Sequence, residues 1–327
     1  MDERVAIFDM LHAFRARLYA CIERRTDALF ELTDAILTAG PVPSSVHLSF
    51  TSVHRRGWGS LYAALSKGDL DRETLRELLV RFPLSREAED YRRRRRSSVD
   101  ISFWPRCDAE ASPERGFYYH PSKHSAGQPI VAGWAYQWIA ELGFARESWV
   151  APIDAHRVRP QENTNLVAVE QVKALLCRLP YVSEPPLFVF DAGYDAVRLT
   201  QELAGDRAQV LVRLNSRCYF YADPSKRPGG KGGRPRWHGS KFACKDPSTW
   251  PGPTHEHTCH DQDLGEVRVR AWSGLHPKIQ SRPHGETFEK PLSCGGRPSR
   301  RGAETAEEDP RVEGVVAVVQ RRRRAGP

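Results

Sequence analysis

The sequence has no apolar run that approaches the roughly 18 residues of a transmembrane helix, and acidic residues stand near its start where an apolar leader would be. We therefore expect neither a membrane span nor export. None of its seven cysteines forms a Cys-x-x-Cys pair, and an odd, scattered set does not suit a disulfide framework. Reduced thiols in a cytoplasmic protein are the expectation that these absences favour.

The chain does have enough apolar content to form a core, because 40% of its 327 residues are hydrophobic. This length allows two domains, or one large domain with an appendage. The formal net charge is +8. Basic proteins of this size often bind a polyanion, most commonly nucleic acid, although a basic surface kept for solubility is the alternative.

The first part of the chain, residues 1–90, has the periodicity of a helical domain. Apolar residues spaced by three and four positions line one helix face: Phe8, Leu11, Phe14, Leu18 and Ile22. The same pattern continues until Gly40 and Pro41 stop it. Further helices are predicted over residues 59–65 and 71–82.

Five consecutive arginines, residues 92–96, follow this helical region. A run of like charges is usually a solvated linker, and this is the interpretation that we favour. Contact with DNA phosphates is the alternative.

Residues 97–216 show strands that alternate with helices. Strands are predicted over residues 99–104, 116–120, 129–142, 187–191 and 209–214, and helices over residues 163–179 and 195–203. Because helical crossovers join parallel strands, the later strands are expected to be parallel neighbours. The pattern predicts an α/β fold with a mixed sheet.

The remainder of the chain divides into two parts. Residues 217–280 are predicted to be a loop-rich insertion with short strands, because glycine, proline, lysine and histidine dominate before the alternating segment Glu266–Trp272. Residues 281–327 show no sustained apolar periodicity and are predicted to be an aberrant, disordered tail.

Two aspartates are the strongest candidates for chemistry. Asp100 lies within the first predicted strand of the mixed sheet, and Asp191 ends the fourth. Acidic residues are depleted in strands, and open α/β sheets place their ligand sites where strands end. Two such carboxylates could share divalent cations, for which their hard oxygen atoms favour Mg²⁺ or Mn²⁺. In the alternative, Asp191 caps the turn at Ala192 and Gly193, and Asp100 accepts hydrogen bonds in a bend.

Five blocks of sequence carry a resemblance to a known family: His47–Gly57, Val99–Arg115, Val131–Tyr136, Pro152–Arg157 and Phe190–Asp195. In this order they resemble the DDE insertion-sequence transposases, which have an RNase H-like catalytic core. The resemblance implies that Asp100 and Asp191 are the first two catalytic acids and metal ligands. It also implies a two-metal Mg²⁺ or Mn²⁺ site, double-stranded transposon and target DNA as partner, a homodimer, and a place at the nucleoid.

The family also requires a third acid, a glutamate on a later helix, and here the resemblance fails. All the late glutamates lie in the segment without periodicity: Glu286, Glu289, Glu304, Glu307, Glu308 and Glu313. We therefore expect a truncation or a frameshift after about Gln280. The sequence predicts a transposase with little or no activity as written. A DNA-binding remnant that inhibits intact relatives, and a chain that does not fold, are the alternatives.

Two further segments are weaker candidates. One is basic, rich in glycine and predicted to contact the DNA backbone through Lys226, Arg227, Lys231, Arg234, Arg236 and Trp237, with a disordered surface loop as the alternative. The other is His255–His260, which together with Cys244 has the ligand types of zinc but not a standard spacing. A solvated loop is the favoured interpretation of this histidine segment.

Overall fold

The computed structural model describes residues 3–82, 94–119, 129–143, 150–180, 184–224, 237–261, 265–278 and 316–321. The α-helices in these ranges are α1 (Glu3–Ala20), α2 (Thr26–Thr38), α3 (Ser45–Leu48), α4 (Trp58–Lys67), α5 (Arg72–Arg81), α6 (Thr164–Leu176) and α7 (Ala196–Glu202). The strands are β1 (Ile22–Arg24), β2 (Asp69–Leu70), β3 (Arg96–Pro105), β4 (Gly116–Tyr119), β5 (Ile130–Leu142), β6 (Val150–Val158), β7 (Leu187–Phe190), β8 (Gln209–Val212), β9 (Tyr219–Ala222), β10 (Lys241–Ala243), β11 (His255–Asp261), β12 (Gly265–Trp272), β13 (Leu275–His276) and β14 (Val316–Arg321).

The chain forms two compact units. The first comprises residues 1–95, 138–156 and 174–184, and the second comprises residues 96–137, 157–173 and 185–327. Within the ranges given above, every helix is too short or too polar to cross a membrane.

The first unit contains the five helices of the N-terminal region. Residues on α2, α3 and α4 form its core, namely Leu32, Ala35, Leu48 and Leu61. The periodicity predicts a first helix that extends through Ile22, and this prediction is wrong. Helix α1 ends at Ala20, and Ile22 belongs to β1, where it pairs with Leu70 of β2. Arg25 then adopts a left-handed conformation, with φ of 59°, and redirects the chain into α2.

The arginine run was predicted to be a solvated linker, but Arg94 and Arg95, which the structure describes, form ion pairs. Both side chains of the Arg95–Glu141 pair are nearly buried, with exposed fractions of 14% and 5%. Arg95 Nε and Nη2 donate to the two carboxylate oxygens of Glu141 over 3.0 and 2.7 Å, and Nη1 donates to the carbonyl of Val80 over 3.2 Å. Arg94 pairs with Glu184 in a more exposed setting. These arginines are therefore held by ion pairs.

A mixed sheet dominates the second unit, as predicted. Its strand order is β4-β5-β3-β7-β8, in which β3, β7 and β8 are parallel and β4 is antiparallel to β5. This is the RNase H-like mixed sheet that the sequence analysis predicted. One strand, β6, was missed; it also pairs with β5, so four strands precede α6 in place of the predicted three.

The two faces of this sheet have different environments. On one face Ala135, Val158 and Val167 form a buried cluster, against which Ile101, Phe103 and Tyr118 pack. Because Val167 belongs to α6, this is the face that the helix covers. Side chains of the opposite face, Trp104, Phe117 and Tyr119 among them, are largely exposed.

Residues 217–278 form short strands in two small sheets, with the orders β10-β9-β13 and β11-β12-β14, the second of which β14 completes. Their core is aromatic and consists of Phe220, Phe242, Trp272 and Leu275, with Trp250 packed against it. Within the segment for which we predicted disorder, Val316–Arg321 forms β14 and pairs with β12. The rest of that segment, apart from β14, lies outside the described residues.

Candidate active site

The register of two parallel strands places the candidate aspartates side by side. Val99 of β3 and Phe190 of β7 are the last paired residues of this ladder. Asp100 and Asp191 each follow directly, so both occupy the next position along neighbouring strands. Neighbouring strands lie about 4.8 Å apart, and residues in register point to the same side of the sheet. The carboxylates are therefore close neighbours.

Each aspartate uses one carboxylate oxygen for a local hydrogen bond. The Ile101 N–H donates to Asp100 Oδ1, and the Gly193 N–H donates to Asp191 Oδ1, both over 2.8 Å. A Cβ at Gly193 would lie 3.0 Å from that same oxygen, so glycine allows this close approach. No residue in the described ranges forms a hydrogen bond with Oδ2 of either aspartate, which leaves both of these oxygens for a ligand.

Both aspartates line a cleft of about 650 Å³ that lies wholly within the second unit. Ile101, Phe103 and Tyr118 contribute an apolar wall, whereas Arg159, Glu162, Asn163 and Asn165 contribute polar groups. A volume of this size is typical of sites that bind small ligands or portions of larger ones.

The two negative charges disfavour each other. Burial raises the pKa of Asp100 above its ordinary value, and the charge of Asp191 raises it further, while the hydrogen bond from the Ile101 N–H acts in the opposite direction. A cation between the carboxylates would relieve both effects.

The donor set of this site fits a hard divalent cation. Two carboxylates with free Oδ2 atoms are the oxygen ligands that Mg²⁺ and Mn²⁺ prefer. Within the described ranges, no third histidine, cysteine, aspartate or glutamate completes a group of three that could hold a metal ion. Asp100 and Asp191 can therefore supply part of a coordination shell.

Sequence reasoning missed a buried polar pair beside the aspartates. Burial and the charges of Asp100 and Asp191 raise the pKa of Tyr194, which identifies its hydroxyl as a near neighbour of both. The Tyr194 hydroxyl faces the fully buried amide of Gln137, but the two form no hydrogen bond of normal geometry. Tyr194 lies inside a block that carries the family resemblance, and this was the one available signal.

Two other acids of the resembling blocks have structural partners. Asp195 caps α7, because its Oδ1 accepts from the N–H groups of Val197 and Arg198. Asp154 belongs to the first unit, where its Oδ1 accepts from Arg76 Nε over 2.6 Å. Neither residue belongs to the cleft.

The predicted DNA-contacting loop is largely beyond what the structure describes. Lys226, Arg227, Lys231, Arg234 and Arg236 lie outside the described residues, and Trp237, which begins the next described range, is 40% exposed. Their role in DNA binding stays a prediction.

The histidine segment forms a strand where the sequence analysis favoured a loop. His255–Asp261 is β11, which pairs with β12 along its whole length. Cys244 packs against the aromatic core of the small sheets, and burial raises the pKa of its thiol. It is therefore part of the packing of this core.

Removing the charge of Asp100 is expected to stabilise the metal-free protein. Because its folded-state pKa is raised, the ionised carboxylate destabilises the fold at neutral pH, and this effect disappears as the pH falls and the group takes up a proton. We expect Asp100→Asn to raise the melting temperature by about 2 °C at neutral pH in the presence of EDTA, with a smaller gain in acid. The exposed Asp108→Asn is the control; an equal gain there would contradict the prediction.

Comparison with known proteins identifies the family of this chain. The family model described as "DDE superfamily endonuclease" matches residues 17–278, which is well over half of the sequence. A search of curated proteins found no match. The matched region contains both aspartates and the whole mixed sheet.

Proposed function

We propose that this chain, which belongs to the DDE superfamily of endonucleases, is a DNA transposase core in which Asp100 and Asp191 hold a divalent cation at the scissile phosphate. The observation that carries this proposal is the β3–β7 register, which ends at Val99 and Phe190 and brings the two carboxylates together. The bound Mg²⁺ or Mn²⁺ would activate the attacking oxygen and stabilise the leaving oxygen of the phosphodiester.

The protein's own groups would prepare the site for this cation. The N–H groups of Ile101 and Gly193 fix one oxygen of each carboxylate and so orient the other. Tyr194 is buried beside both aspartates and lines the same cleft. Arg159 lines the same cleft, where it pairs with Glu114 and Glu162, and it would contact a phosphate only by exchanging one of these partners.

We further propose that the chain as written carries out little or no strand cleavage or joining. The family's third acid has no counterpart near Asp100 and Asp191 among the described residues. A site with two carboxylates would bind a cation more weakly and position it less well. The alternative function is that of a DNA-binding remnant, which could occupy transposon ends and inhibit intact relatives.

Binding of Mn²⁺ tests the metal site without requiring turnover. We expect Asp100→Asn and Asp191→Asn each to weaken Mn²⁺ binding by about 100-fold in electron paramagnetic resonance titrations. Asp195→Asn removes the same charge four positions after Asp191, keeps an amide suited to cap α7, and should bind Mn²⁺ as the unaltered chain does. Equal Mn²⁺ affinity in all four proteins would refute the proposed site.

A plasmid-nicking assay with Mn²⁺ separates the two functions. A residual nuclease should nick DNA weakly and lose this activity in Asp100→Asn. A DNA-binding remnant should show no nicking, and its DNA affinity should fall steeply with salt in the unaltered chain and in Asp100→Asn alike. Efficient strand transfer by the unaltered chain would contradict the proposal that it is inactive as written.

A further inference from the structure

One face of the mixed sheet exposes an unusual number of aromatic side chains. Trp104 on β3 is 57% exposed, and Phe117 and Tyr119 on β4 are 78% and 67% exposed. We call the surface formed by Trp104, Phe117, Tyr119 and Trp134, with Arg106 and Arg157, the aromatic face. Contiguous exposed apolar patches on a protein usually mark a binding surface.

Strand register shows that these residues share one side of the sheet. Phe117 pairs with Ala132 and Tyr119 with Ile130, so these four side chains point in the same direction as Trp134, which follows two residues after Ala132. On the opposite side, Phe103 stacks on Tyr118 beneath α6. Trp104 alternates with Phe103 and therefore belongs to the exposed side.

Arginines are interleaved with the tryptophans of this face. The Arg106 guanidinium lies 5.9 Å from the ring centroid of Trp104 and 5.6 Å from that of Trp134. The Arg157 guanidinium also lies over Trp134, 4.8 Å from its ring centroid. Indole rings and guanidinium groups therefore alternate across the face in the order Trp104, Arg106, Trp134, Arg157, and each neighbouring pair makes a cation–π contact.

The charge of the aromatic face favours an anionic partner. Among the described residues, the carboxylate of Glu114 lies 4.0 Å from Arg157 of this face, and it also pairs with Arg159 over 3.1 Å. A second copy of this chain would bring a further net charge of +8 to an already cationic surface. Charge complementarity therefore favours a polyanion over self-association.

The aromatic face shares strand β3 with the candidate active site, whereas the cleft wall of Ile101, Phe103 and Tyr118 lies on the other side of the sheet. Asp100, Ser102 and Trp104 are the alternating exposed residues of β3, so Trp104 lies on the same row as the first aspartate. Four residues along a strand span about 13 Å. At the rise of about 3.4 Å per nucleotide of one DNA strand, this distance covers a few nucleotides.

We propose that the aromatic face binds unpaired bases of a single DNA strand. Stacking requires an open base face, which a paired duplex presents only at its ends, and every base has such a face regardless of sequence. Trp104 and Phe117 stack on bases, while Arg106 and Arg157 contact phosphates. This inference rests on the proposed function, because it takes DNA as the ligand of the neighbouring cleft.

Fluorescence anisotropy with a labelled single-stranded oligonucleotide and the matching duplex tests the proposal in EDTA. We expect Trp104→Ala and Phe117→Ala each to weaken single-strand binding by about tenfold. Duplex affinity should change by less than about twofold. Trp58→Ala is the matched control, because Trp58 is 61% exposed on α4 of the other unit, and it should bind the single strand as the unaltered chain does.

Unchanged single-strand affinity in Trp104→Ala and Phe117→Ala, or no single-strand binding by the unaltered chain, would overturn the proposal. If either variant fails to fold by circular dichroism, photo-crosslinking of the unaltered chain to an iodouracil-substituted oligonucleotide decides. Crosslinks to peptides with Trp104 or Phe117 support the proposal, and crosslinks confined to other peptides refute it. Since the Mn²⁺ titration uses no DNA, an unaltered chain that binds Mn²⁺ but no single strand rejects this inference alone and leaves the proposed metal site standing.

Discussion

Replacement of Glu141 by alanine is expected to lower the free energy of unfolding by about 3–5 kcal/mol. Glu141 is the buried partner of Arg95, which it binds through both carboxylate oxygens. Without this carboxylate the guanidinium would remain enclosed, and among the described residues only the carbonyl of Val80 would still accept from it. A buried charge without its counter-ion is among the most destabilising features of a protein interior.

Urea denaturation followed by circular dichroism measures this effect, and the neighbouring ion pair provides its control. Arg94 and Glu184 are 3.2 Å apart, but their side chains are 34% and 51% exposed. Glu184→Ala should therefore lower the free energy of unfolding by less than about 1 kcal/mol. The double variant Arg95→Met with Glu141→Leu should recover most of the lost stability. Equal losses for the two glutamates would show that burial of Arg95 does not govern the effect.

Replacement of Gly133 by alanine is the second change with a large expected effect. A Cβ at this position on β5 would lie 2.2 Å from the carbonyl oxygen of Trp104 and 3.1 Å from the Cα of Pro105. Both are backbone atoms of β3, so no side-chain rotation can relieve the overlap. We expect a loss of about 3 kcal/mol, because the two strands would have to separate.

Thermal melting and single-strand binding together check this second prediction. Gly252→Ala is the control, because no atom lies within 4 Å of a Cβ built there, and its melting temperature should be nearly unchanged. For Gly133→Ala we expect a fall of roughly 5–10 °C. Single-strand binding should fall as well, because Trp104 is displaced. An unchanged melting temperature in Gly133→Ala would mean that β3 and β5 are not as close as the structure places them.

The sequence allowed much of the second unit to be predicted. Its strands are apolar runs bounded by turn residues, and its helices have a clear periodicity, so β5, α6 and β7 were expected within a few residues of their bounds. Asp100 and Asp191 were recognisable because a carboxylate is out of place beside such strands. Their adjacency was not predictable from spacing alone, because it depends on the register between β3 and β7.

Other features depend on partners far away in the chain. Arg95 looked like part of a solvated run because its partner, Glu141, is 46 residues away. The strand β6 escaped notice because Pro152, Asp154, His156 and Arg157 interrupt its apolar pattern. Tyr194 and Gln137 drew no attention, since a buried tyrosine or glutamine has no distinctive spacing. Local patterns predict elements, whereas tertiary contacts decide which charged and polar residues are buried.

The parallel pairing of β3 with β7 also has a consequence for the order of events during synthesis. Asp191 follows Asp100 by about 90 residues, and ribosomes add about 5–20 residues per second, so the first acid emerges many seconds before the second. Parallel pairs of such sequence separation form slowly, because the entropy of closing the loop is lost before the contacts are gained. A nascent chain that ends before β7 therefore lacks both the second acid and the neighbouring strand that would bring it to Asp100.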